Sequence, residues 1–85
     1  MSGINEVLDE RGKNYGDFGG HAAMTQRLKT VMRNHPGWKN LGDHHREALE
    51  MIAHKIGRIV NGNPDYKDSW VDVAGYAQLV ARDLP

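Results

Sequence analysis

The sequence predicts an all-α fold, a small antiparallel bundle of about four helices. Three observations carry that expectation. Apolar residues recur at three- and four-residue spacing, most clearly at Leu49, Ile52, Ala53, Ile56, Ile59 and Val60. No segment alternates apolar and polar residues in the two-residue rhythm of a strand. Strong stop signals, Asn34-His35-Pro36-Gly37 and Asn61-Gly62-Asn63-Pro64-Asp65, divide the chain at helical intervals. A length of 85 residues leaves room for one domain, spanning residues 1–85.

The first helix is expected over residues 3–11, where Glu6, Val7 and Leu8 follow Ser2, with Gly12 as its stop. Residues 12–20 then read as a loop, unusual for holding Tyr15 and Phe18 among its glycines. The second helix runs from Gly20 to Arg33, with Ala22, Ala23, Leu28, Val31 and Met32 as its apolar stripe. Trp38 and Leu41 fall in the next connection, where Trp38 reads as a cap over the bundle end. Asp43 is a good N-cap for a third helix that reaches Val60 or Asn61. The fourth starts at Asp65 or Asp68 and ends near Asp83.

Composition removes several function classes. Lys plus Arg equals Asp plus Glu, a net charge of zero, which disfavours general nucleic-acid binding and polybasic attachment to membranes. No apolar run approaches the ~20 residues of a bilayer span. There is no cysteine, so disulfides and thiolate metal sites are excluded and a reducing cytoplasm is expected. A chain this short buries only about 60% of its unfolded surface alone, so a homo-oligomer is expected.

The chemically suggestive residues lie on the last two helices. Glu47, Glu50, His54 and Arg58 share the side of the third helix opposite its apolar stripe. Taken alone they read as a solvated face, with Glu50 and His54 spaced as a helical pair. On the fourth helix Trp70, Val73, Ala74, Ala77, Val80 and Ala81 form one apolar face, while Asp68, Asp72, Tyr76 and Leu79 share the other. Carboxylates on a largely apolar helix point to a cleft or an interface, where they need a cation, a basic partner or water to offset repulsion and desolvation. A tight Asn61–Pro64 turn makes the two helices antiparallel neighbours, so Glu47, Glu50, Asp68 and Asp72 can meet across the pair. Oxygen ligands of this kind suit Mg²⁺ or Mn²⁺. The histidines are a weaker lead, because His44, His45 and His54 match no standard zinc spacing.

The arrangement resembles the all-α nucleotide pyrophosphatases of the MazG and dimeric dUTPase superfamily. Glu47-Ala48-Leu49-Glu50 corresponds to that family's Glu-x-x-Glu pair, and Asp72 to the last residue of its second acidic pair. Ser69 stands where the second pair begins, with Asp68 beside it as a substitute. Three segments, Lys13–Phe18, Arg46–Ile59 and Asp68–Tyr76, are similar to a family of small bacteriophage and prophage proteins, whose relatives group with nucleotide-pool functions. The resemblance implies a MazG-like bundle in the host cytoplasm that binds a nucleotide and cleaves between the α and β phosphates. Glu47 and Glu50 would be catalytic, and Glu47, Glu50, Asp68 and Asp72 would hold the metal. Lys55 and Arg58 would neutralise phosphate charge, while Tyr15, Asp17 and Phe18 would contact the nucleotide. Two other functions fit the sequence: sequestering a nucleotide signal without catalysis, and inhibiting a host protein by direct contact.

Overall fold

The computed structural model describes residues 2–85, and these form an all-helical bundle as the periodicity predicts. Helix α1 spans Ser2–Tyr15, α2 Phe18–Asn34, α3 Asp43–Asn61 and α4 Lys67–Ala81, with a 3₁₀ turn at Pro36–Asn40 between α2 and α3. The Ser2 side chain, read above as part of a start signal, lies outside the described residues. Helix α3 is the hub, packing on α4 along one flank and on α2 and α1 along the others.

The first two helices differ most from expectation. Helix α1 does not stop at Gly12 but continues through it to Tyr15. A glycine inside a helix costs about 1 kcal/mol relative to alanine, and tertiary links at the end of α1 offset that cost. The stop is Gly16, whose positive φ of 77° is available to glycine without strain and whose N–H donates to the Gly12 carbonyl at 2.9 Å. The expected glycine-rich loop therefore shrinks to Gly16 and Asp17. Asp17 caps α2, accepting from the Gly20 N–H at 2.7 Å.

Helix α2 turns its polar residues inward. His21 and Thr25 are buried, whereas Ala23 and Val31 of the expected stripe are exposed. The reason is the close approach of α3 at Gly57: a Cβ there would collide with Thr25 Oγ1 and stand 3.0 Å from His21 Nδ1. Small residues draw the two backbones together, and only short or flat side chains fit between them.

The N-cap of α3 is one residue earlier than the expected Asp43, which is the first helical residue: Gly42 takes the cap position, and its N–H donates to His45 Nδ1 at 3.1 Å. On the α3–α4 seam Ala48, Lys55, Ile59 and Ser69 are buried. Lys55 Nζ sits 3.0 Å from Asp72 Oδ2. The expected apolar face of α4 is mostly open: Trp70, Ala74, Ala77 and Ala81 are exposed, with Val73 and Val80 partly covered. The side of α4 that meets α3 is instead the one carrying Ser69, Asp72, Val73 and Tyr76. Among the described residues the buried apolar core is limited to Ala48, Ala53 and Ile59.

The two ends of the chain's helical hairpins are latched together. Asn61 Nδ2 donates to the carbonyls of Tyr15 and Asp17 at 2.9 and 2.8 Å, and the Asn63 N–H donates to the Asn14 carbonyl at 2.7 Å. Gly62 fits this latch because a Cβ would strike the Asn14–Tyr15 backbone. No helix among the described residues is long and apolar enough to cross a membrane.

Candidate functional site

A cleft of about 390 Å³ opens where α1, α2 and α3 converge, lined by Leu8, Arg11, Tyr15, Asp17, Phe18, His21, His54 and Arg58. Each wall follows from local chain chemistry. The left-handed Gly16 breaks α1 from α2, so Tyr15 and Phe18 project from neighbouring helix ends. Helical spacing on α3 brings His54 and Arg58 to the same side one turn apart.

Tyr15 is held on two sides. Arg58 lies over its ring, 4.1 Å from the guanidinium carbon to the centroid. Tyr66 meets it edge to face at a centroid distance of 5.8 Å. Such a cation on an aromatic face contributes about 0.5–1 kcal/mol when exposed, and the ring fixes where the charge points. The nearby Asp68 carboxylate, with a hydrogen bond between the two groups, pushes the Tyr66 hydroxyl pKa up. Among the described residues, neither Arg11 nor Arg58 is ion-paired to a carboxylate. Phe18 stands at the rim and is 78% exposed.

The floor is a histidine pair that sequence reading missed. His21 is 5% exposed, and its Nε2 lies 3.4 Å from His54 Nδ1 and 3.5 Å from Thr25 Oγ1. The rings meet edge to face at 4.6 Å. Desolvation, with the Arg58 charge adding to it, lowers His54 to about 4. Burial also lowers His21. Both rings are therefore neutral at pH 7, and the cleft's positive charge comes from its arginines. No periodic signal marks His21, because its partner lies 33 residues away.

Four of the five expected nucleotide contacts, Tyr15, Asp17, Phe18 and Arg58, share this cleft. The Asp17 carboxylate is occupied in capping α2. The fifth, Lys55, is buried on the α3–α4 seam against Asp72. The expected metal ligands are dispersed. Glu50 is ion-paired with Arg33 of α2, and Asp72 with Lys55. Glu47 and Asp68 are exposed. Among the described residues no three His, Asp or Glu side chains gather as a metal shell would require. The protomer thus presents a cationic, aromatic cleft in one place and its helix-borne acids in others.

Residues 3–83 match the family described as a domain of unknown function, DUF6378, and the chain belongs to that family. No curated protein and no solved structure matches it.

Proposed function

For this DUF6378 member we propose nucleotide binding in the α1–α2–α3 cleft, without hydrolysis by the single protomer. The observation that carries this reading is Arg58, a guanidinium without a carboxylate partner among the described residues, fixed on Tyr15 inside a cleft that also holds Arg11 and the exposed Phe18. A flat base can stack on Phe18, and the two guanidinium forks match phosphate oxygens. The neutral His21–His54 floor offers ring nitrogens to a base or ribose. The volume falls in the ordinary range for small-molecule sites, roughly 300–1,000 Å³. Nucleotide metabolism in a phage or prophage setting is the context that the sequence resemblance implies.

The stronger form of the reading is Mg²⁺-dependent pyrophosphohydrolysis through Glu47, Glu50, Asp68 and Asp72. It requires Glu50 and Asp72 to leave Arg33 and Lys55, so binding without turnover is the better-supported form.

Thermal shift against nucleoside mono-, di- and triphosphates and cyclic dinucleotides, with Mg²⁺ and with chelator, tests both. A binder at 100 times its dissociation constant adds about 2.7 kcal/mol. A chelator-resistant shift, lost in Arg58→Gln and Phe18→Ala, is the expected result. A shift that appears only with Mg²⁺, together with release of pyrophosphate, would establish the enzymatic form. No shift with any nucleotide would overturn the binding reading.

A further inference from the structure

The side of the α3–α4 pair turned away from the cleft is an apolar surface that the protomer leaves open. Lys55 and Asp72 mark the seam between the two helices. A turn of about 100° per residue from the seam carries Leu49, Ile56 and Val60 to one flank of α3, and the same turn carries Trp70, Ala77 and Ala81 to a flank of α4. Because the helices run antiparallel, both flanks face the same way and form one surface, with Ile52 and Val73 half-buried between them. Val60 is 64% exposed and Trp70 55%. Trp70 is also rigid, since its Nε1–H donates to the Pro64 carbonyl at 2.7 Å.

The surface area shows how large a cover the protomer lacks. A 9.5 kDa monomer exposes about 5,000 Å², and this protomer exposes 6,144 Å². The surplus, roughly 1,100 Å², is comparable to the ~800 Å² that each partner buries in a standard interface. The radius of gyration agrees: 14.7 Å against about 12 Å for a compact chain of this length. Helix α1 also exposes Ile4, Val7 and Leu8, but that is one helix, with Arg11 on the same face and Leu8 part of the cleft lining. The α3–α4 face spans two helices with no charged residue among its positions, and an apolar patch of this kind complements its own copy about a two-fold axis.

We propose that a second copy of this chain docks on the Leu49–Ile56–Val60 and Trp70–Ala77 face, pairing the two α3–α4 hairpins with Trp70 as anchor and leaving both clefts open. An exposed tryptophan held in place beside small alanines is the form that interface anchors take.

Two measurements test it. Sedimentation equilibrium should give twice the 9.5 kDa protomer mass, and the Ile56→Glu/Val60→Glu variant should be monomeric with its helical circular dichroism retained. Leu79→Glu, an exposed site on the far side of α4, should remain dimeric. The native chain has no cysteine, so single thiols report locally without disturbing the fold. Labelling of Ala77→Cys should slow with rising protein concentration, by about tenfold where nine-tenths of the chain is associated, while Leu79→Cys should label at a constant rate. A wild-type chain that stays monomeric at high concentration, or a dimer in which Leu79→Cys is protected and Ala77→Cys is not, overturns the proposal.

Discussion

The two long sides of α3 are arranged in opposite senses. Its charged side, with Glu50, His54 and Arg58, is partly covered by α1 and α2 and contributes to the cleft. Its apolar side, with Leu49, Ile56 and Val60, is open. An apolar stripe normally marks the face a helix turns toward its own core. Here the protomer closes instead through small residues, polar contacts and ion pairs at Gly57, Thr25, His21 and Lys55–Asp72. Periodicity finds the surface that must leave water, and it does not say whether the cover comes from the same chain.

The sharpest break in that comparison comes from removing the covered side's latch. Gly62→Ala drives a Cβ into the Asn14–Tyr15 backbone and should cost about 3 kcal/mol or more by chemical denaturation. Gly75→Ala, with nothing within 4 Å of the added carbon, should be neutral or stabilising by up to about 1 kcal/mol. On the seam between the two sides, Asp72→Ala leaves the buried Lys55 ammonium without its partner. Because Asp72 is half exposed, the expected loss is about 1–2 kcal/mol rather than the larger cost of a fully enclosed pair.

The covered side should also carry a pH dependence that the open side lacks. Unfolded, His54 takes up a proton near 6.5, and folded only near 4, chiefly through desolvation with Arg58 beside it. Between those values the unfolded chain binds more protons, so stability falls as pH drops from about 6.5 to about 4 and levels off below. Thermal melts across that window should show a smaller decline in His54→Gln. The smallest stability effect belongs to Arg58→Gln, about 0.5–1 kcal/mol from the lost contact with Tyr15, while nucleotide affinity falls by tenfold or more. That separation identifies Arg58 as a ligand contact more than a structural one.

Helices α3 and α4 were legible because periodicity and the Asn61–Pro64 stop agree in one short stretch of chain, whereas their caps, Gly42 and Tyr66, carry no side-chain capping bond that a sequence could signal. The junction of α1 and α2 was not. Gly12 and Gly16 look equivalent as helix breakers, and what separates them is Asn61, whose amide reaches the Tyr15 and Asp17 carbonyls from 46 and 44 residues away. The cleft was half legible: Tyr15, Phe18 and Arg58 stood out by residue type, whereas His21 is defined by a partner on another helix. The acidic residues show the converse. Glu47-x-x-Glu50 and Asp72 are conspicuous in sequence, but Arg33 and Lys55, which pair with Glu50 and Asp72, are set by helix packing alone.

The Asn61 latch has a consequence for the order of events during synthesis. Helix α1 ends before residue 16, yet the groups that hold its end, Asn61 and Asn63, are made much later. Until the ribosome has released the end of α3, the N-terminal segment has only α2 to dock against and lies more open to proteases and chaperones. The α3–α4 hairpin needs only local contacts and forms quickly once its turn emerges. The cleft is therefore absent until α3 is complete, and a chain truncated just before Asn61 would keep α2 and most of α3 while losing the attachment that turns α1 into a wall of that cleft.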